Sequence, residues 1–195
     1  MRLIGLTGGI GMGKSTAATL FRRAHFPVFD ADQTVRALQA KGGAAVPRIA
    51  ALFPDAVRDG VIDRARLRAD VLGSPGGLRQ IEAIIHPLVR AAERRFLHAA
   101  RRRHVPAAIL DIPLLYETGG DRRVDCVVVV SAPARVQRAR VAARGQMSAA
   151  EIDAILARQM PDREKRRRAD IVIRTGLSRH HAWRQLRRFM LELRR

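Results

Sequence analysis

The chain predicts an α/β fold, with a five-stranded parallel sheet flanked by helices. Three observations predict it. Residues 8–16 read GGIGMGKST, a G-x-x-x-x-G-K-[ST] pattern directly after the apolar run Leu3-Ile4-Gly5-Leu6. Five short apolar runs alternate with stretches of helical periodicity, the signature of parallel strands joined by right-handed crossovers. Gly8, Asp30, Asp32 and Asp111 all fall just after the ends of such runs, where open parallel sheets collect ligands.

Taken in order, residues 2–6 are the first strand and 14–24 the helix after the glycine-rich turn. Phe26-Pro27-Val28-Phe29-Asp30 is a short second strand, with Asp30 suited to cap the helix that runs to Ala40. Lys41-Gly42-Gly43 breaks that helix. Residues 44–53 are helical, Asp59-Gly60 is a turn, and Asp63 caps 64–72. After Ser74-Pro75-Gly76-Gly77, residues 78–85 place Leu78, Ile81, Ile84 and Ile85 on one face, and Pro87 restarts a helix to about Arg103. The stretch 35–104 thus reads as a helical insertion without strands. Val105–Asp111, Asp125–Ser131 and Ala169–Ile173 are the third to fifth strands; the fourth, apolar throughout, suits burial on both faces. Residues 133–144 are helical, and Ser148–Glu151 is a capping box opening a helix to Met160. Residues 162–168 are a charge run. Ser178 caps a last helix with Trp183, Leu186, Phe189, Met190 and Leu193 inward.

The 195 residues fit one domain with an inserted subdomain. No run of 18 apolar residues predicts a membrane span. Met1-Arg2 leads straight into a strand, leaving no room for a signal peptide. Cys126, the sole cysteine, lies in an apolar strand and reads as core. A cytoplasmic monomer is the expectation. The net charge is +19, carried by arginine apart from Lys14, Lys41 and Lys165. That excess fits either affinity for anions or the codon bias of a GC-rich genome.

The glycine-rich pattern names a ligand. Successive N–H groups turned toward phosphate oxygens, with the positive end of the following helix, make a phosphate cradle. Gly8, Gly9, Gly11, Met12, Gly13, Lys14, Ser15 and Thr16 are expected to bind the phosphates of ATP. Lys14 would reach the β- and γ-phosphates, and the Ser15 hydroxyl would ligate Mg²⁺. Asp111 at a strand end suits Mg²⁺ directly or through water, with a turn cap as the alternative. Asp32 suits acceptance of a proton from an attacking hydroxyl. Segment 131–168 carries ten cations against four acids. It reads as a basic lid in which Arg140 and Arg144, one turn apart, reach the cleft, whereas Arg166–Arg168 read as a solvated face. No Asn/Thr-Lys-x-Asp motif supports a GTPase, and no zinc spacing occurs. Nucleic-acid binding would call for aromatic platforms among the cations, and Trp183 and Phe189 read as core.

The chain resembles the dephospho-CoA kinases, within the P-loop nucleoside and nucleotide kinases. The resemblance runs from Met1 to about Gly176. It rests on Thr7–Thr16, Asp30-Ala31-Asp32 with Arg36, Asp59–Arg64, Ile84–Pro87, Asp111–Glu117, Gln137 with Arg140 and Arg144, Gln159, and Ala169-Asp170. It implies a P-loop kinase fold and Mg²⁺-dependent transfer of the ATP γ-phosphate to the ribose 3′-hydroxyl of dephospho-CoA, the last step of coenzyme A synthesis. By the same resemblance Asp32 is the base and Arg140 the lid arginine on the phosphates. His86 and Arg36 belong to the acceptor side, and Pro113, Leu114 and Leu115 line the cleft. The implied division is a nucleotide core (1–34, 105–132, 169–195), an acceptor domain (35–104) and a lid (133–168). The chain departs from the family pattern at Met12, commonly serine, where a backbone N–H does the cradling. It departs again at Arg174-Thr175-Gly176, where an Asn-x-Gly-like turn is usual beside the adenine. Another small-molecule kinase and a basic nucleic-acid-binding P-loop protein are the rival readings.

Overall fold

The computed structural model describes residues 1–145 and 148–194. The predicted lid therefore includes positions 146 and 147, which lie outside the described residues, as does the side chain of Arg158. The chain divides into two compact units, Met1–Phe29 with Ala100–Arg195, and Asp30–Ala99.

In the first unit, β1 (Arg2–Thr7) leads to α1 (Lys14–Arg23), and β2 (Val28–Asp30) closes the N-terminal stretch. Further along come β5 (Ala107–Asp111), β6 (Cys126–Ser131), α6 (Ala134–Ala142), α7 (Ala149–Arg158), α8 (Asp162–Arg168), β7 (Ile171–Arg174) and α9 (Arg179–Leu193). The five-stranded sheet has the order β2-β5-β1-β6-β7. β1 is central, parallel to β5 with Ile4 opposite Ile109 and to β6 with Leu6 opposite Val128. β5 and β6 are buried along their whole length, apolar up to the polar residues Asp111 and Ser131 that end them. α1 and α9 cover the sheet through Phe21, Leu186, Phe189 and Met190, with Phe21 edge-on to both Phe26 and Phe189.

One expectation in this unit changes. Trp183 is 38% exposed, because the buried stripe of α9 runs through Ala182, Leu186, Phe189, Met190 and Leu193 and leaves it beside the seam. The charge run 162–168 is a helix: Asp162 and Glu164 occupy its first turn and four cations its last, matching the helix dipole. Lys165 of that run is 1% exposed, whereas Arg166, Arg167 and Arg168 beside it are exposed.

The second unit holds α2 (Ala31–Leu38), α3 (Val46–Leu52), β3 (Val57–Arg58), β4 (Val61–Ile62), α4 (Arg64–Gly73) and most of α5 (Gly77–Arg102). It is not wholly helical. The Asp59-Gly60 turn, with φ of 50° and 72°, closes an antiparallel pair of strands, β3 on β4. Pro87 lies inside α5 rather than starting a helix. It and Ala83, whose carbonyl would otherwise accept from position 87, are both exposed residues. Leu78 is 62% exposed, whereas Ile84 and Ile85 join Ile49, Phe53 and Leu67 in the core of this unit. Asp30 caps α2 through the Gln33 N–H, and Asp63 caps α4.

Candidate active site

The turn between β1 and α1 is built to hold an anion. Gly13, at φ 92°, is the N-cap of α1 and has no side chain to satisfy the N–H groups of the first turn. Lys14, Ser15 and Thr16 therefore present donors with no intrahelical acceptor, at the positive end of the helix dipole. Gly11, at φ 74°, lies so close to α6 that a Cβ would sit 2.9 Å from the Gln137 carbonyl oxygen.

Lys14 reaches back across this turn. Its Nζ donates to Asp111 Oδ1 at 2.6 Å, with Asp111 3% exposed at the end of β5. The loop after Asp111 is tied down from two sides. Thr7 Oγ1 donates to the Pro113 carbonyl at 2.9 Å, and Lys165 Nζ approaches the same oxygen at 3.5 Å. Lys165 pairs with Glu117 at 2.8 Å, and Glu117 also accepts from the Met160 N–H at 2.8 Å. Burial pushes the Glu117 carboxyl up, but the bonds from Lys165 and Met160 outweigh it and hold the group below the usual carboxylate range.

The helices after β6 grip the phosphate loop. Gln137 Nε2 donates to the Ile10 carbonyl at 2.8 Å, and the Ile10 N–H donates to Gln159 Oε1 at 3.2 Å. Arg140 donates through Nη2 to the Thr175 carbonyl at 2.7 Å, and through Nη1 to Thr175 Oγ1 at 3.1 Å and the Gly11 carbonyl at 3.5 Å. Arg140 and Arg144 line a cleft of about 310 Å³ together with Gly11, Gly13, Thr16 and Thr175.

The sequence-predicted residues thus fall into two groups. The loop residues, Lys14, Asp111, Arg140 and Arg144 are gathered in the first unit. Asp32, Arg36 and His86 belong to the second, exposed on α2 and α5. Leu114 is exposed and Pro113 half-buried, but Leu115 is fully buried against Tyr116, Val127 and Val129. Leu115 is core, not cleft lining. Met12 also differs from expectation: its N–H donates to the Gly9 carbonyl at 3.1 Å, and its side chain is buried with Sδ 3.0 Å from the Ala132 nitrogen. Its backbone donor stabilises the turn instead of facing a ligand. Sequence reasoning put Thr175 only in a turn beside the adenine, with no role for its hydroxyl, and gave Lys165 no individual role at the site.

The donors fit a magnesium nucleotide. The Ser15 hydroxyl and the Asp111 carboxylate are hard oxygen ligands of the kind Mg²⁺ combines with phosphate oxygens and water. Among the described residues no group of three or more His, Cys, Asp or Glu could hold a metal without such help. No described helix is long and apolar enough to cross a membrane.

Comparison with known proteins agrees with this geometry. The family model for dephospho-CoA kinase matches residues 2–179. A dephospho-CoA kinase of Gluconobacter oxydans (strain 621H) is 54% identical, covering 100% of this chain and 98% of that protein. Another, of Paramagnetospirillum magneticum (strain ATCC 700264 / AMB-1), is 57% identical over 85% of this chain and 78% of its own length. A crystal structure from Thermus thermophilus superposes with a TM-score of 0.84 at 35% identity, covering 98% of this chain and 96% of that one. The phosphate loop, the sheet order and these relatives agree: the chain belongs to the dephospho-CoA kinase family.

Proposed function

We propose that this chain transfers the γ-phosphoryl group of ATP to the ribose 3′-hydroxyl of dephospho-CoA, giving CoA and ADP, the final step of coenzyme A synthesis. The observation that carries the reading is the Lys14–Asp111 pair at 2.6 Å, seated at an uncapped helix N-terminus. A cation for the phosphates and a carboxylate for the metal side are already adjacent there. Ser15 and Asp111 would hold Mg²⁺, whose charge would offset that of the phosphates. Lys14 neutralises the terminal phosphate, and the N–H groups of Gly13, Lys14, Ser15 and Thr16 fix its neighbours. Arg140 stabilises charge as the phosphoryl group leaves ADP, with Arg144 beside it on the nucleotide.

Asp32 accepts the proton of the attacking hydroxyl. Its place in the first turn of α2, exposed, leaves it free to meet a substrate. Arg36, His86, Pro113 and Leu114 take the acceptor, and Leu115 supports them from the core. The unit Asp30–Ala99 serves as the acceptor domain, and α6 to α8 serve as the lid. The cytoplasm, which supplies ATP and keeps the buried Cys126 reduced, is the working compartment.

A coupled ADP-release assay across acceptors tests this. Saturable turnover with dephospho-CoA, and none with nucleoside monophosphates or sugars, is expected. Turnover with another acceptor alone would reassign the substrate. Nucleic-acid binding that survives physiological salt would favour a different class of function.

A further inference from the structure

Thr175 directly follows β7 and joins three elements of the site. Its N–H donates to the Ser131 carbonyl at 2.8 Å, extending the β6–β7 pairing by one residue. The preceding residue is fixed as well, since Gln185 accepts from the Arg174 N–H at 3.1 Å and donates to its carbonyl at 3.2 Å. From this rigid base Thr175 Oγ1 donates to the Met12 carbonyl at 2.7 Å and accepts from Arg140 Nη1 at 3.1 Å. Its side chain also packs where a Cβ on Gly13 would lie 3.3 Å away. One hydroxyl therefore links the phosphate loop to the arginine above it.

We propose that Thr175 is a positioning residue that sets Arg140 over the phosphate loop before nucleotide arrives. The donor count supports this. Both Nη1 hydrogens and one on Nη2 are engaged by Thr175 and Gly11, leaving the second Nη2–H and the Nε–H for phosphate oxygens. A long flexible side chain loses rotamer freedom when it binds an anion. Here Thr175 has imposed that order in advance, so the phosphates meet a guanidinium already aimed. The inference rests on the proposed reading that Arg140 serves the ATP phosphates, and it adds what holds Arg140 there.

The test is a double-mutant cycle on nucleotide affinity, which needs no acceptor. Dissociation constants for Mg·ATP and for AMP are measured by calorimetry on the parent, Thr175→Val, Arg140→Lys and the pair. Thr175→Val keeps the side-chain shape and removes the hydroxyl. ATP affinity should fall about fivefold in Thr175→Val, as expected for one lost hydrogen bond to a charged group acting indirectly. AMP, which lacks the outer phosphates, should bind as it does to the parent. In the Arg140→Lys background, Thr175→Val should cost clearly less than in the parent, because the part of its effect that runs through the guanidinium is already gone. Thr175→Ser should restore parental ATP affinity. If Thr175→Val melts below the assay temperature, Thr175→Ala, which cannot overfill the site, takes its place. Additive losses in the cycle, equal losses for ATP and AMP, or unchanged ATP affinity would each overturn the proposal. Absence of dephospho-CoA turnover in the parent would refute the proposed reaction and leave the ATP cycle readable.

Discussion

Breaking the Lys165–Glu117 pair should have sharply unequal effects, depending on which partner is removed. Lys165 is 1% exposed and Glu117 18%. Glu117→Ala leaves an ammonium enclosed, with the distant Pro113 carbonyl, at 3.5 Å, as its further acceptor among the described residues. Removing one member of a buried pair costs about 3–5 kcal/mol. For a chain of this size that corresponds to a fall in Tm of roughly 6–20 °C, at about 2–4 °C per kcal/mol. Lys165→Met leaves a carboxylate that water can reach and that keeps the Met160 N–H at 2.8 Å. Its cost should be at most about 1 kcal/mol, or roughly 2–4 °C. The double variant Glu117→Leu/Lys165→Met removes both charges and fills the space. It should lie above Glu117→Ala, losing about 1 kcal/mol for the orphaned Met160 N–H. Calorimetric melting of the parent and the three variants measures this. If the single losses are equal, or the double shows their sum, the pair is not coupled as described. Turnover offers a second readout, since the pair steadies the loop that follows Asp111.

Three further outcomes follow from the same contacts. Tyr116, the sole tyrosine, is pushed up from 10.0 to about 12, chiefly by burial, so its phenolate absorbance should rise with that midpoint while the protein is folded. The folded state keeps a proton that the unfolded state releases, so stability should fall as pH rises between these two values. A midpoint at the ordinary tyrosine value in folded protein would contradict the burial. Lys14→Ala should reduce turnover by about 100-fold or more, because the phosphates lose their nearest cation; single-turnover kinetics checks it. Asp32→Asn should depress turnover while leaving the Mg·ATP dissociation constant within about twofold, and near-normal turnover would remove Asp32 from the role of base.

The phosphate loop was legible because its signal is local. A fixed spacing after an apolar run dictates both the turn and the helix that follows. The buried strand β6 was legible for a similar reason, with its apolar composition marking burial on both faces. Lys165 was not, since nothing inside a run of charges marks one member as buried. Its partner Glu117 and the Pro113 carbonyl come from the loop after β5, and only the tertiary fold brings them together. Thr175 was seen as a departure from a pattern, but its bonds to Met12 and Arg140 depend on two other segments. Trp183 was misread because helical periodicity alone places it at the margin of the buried stripe, where a small rotation decides exposure. Pro87 reads as a break in the sequence because a proline inside a helix ordinarily costs a hydrogen bond. In the structure it lies inside α5, exposed like Ala83.

Product analysis by phosphorus NMR, after incubating the protein with Mg·ATP and dephospho-CoA, tests the account most directly. A new phosphomonoester resonance on the ribose 3′ oxygen, formed in step with ADP and lost in Lys14→Ala, is predicted. ADP formed without that resonance, or a phosphate appearing at any other position, would contradict it.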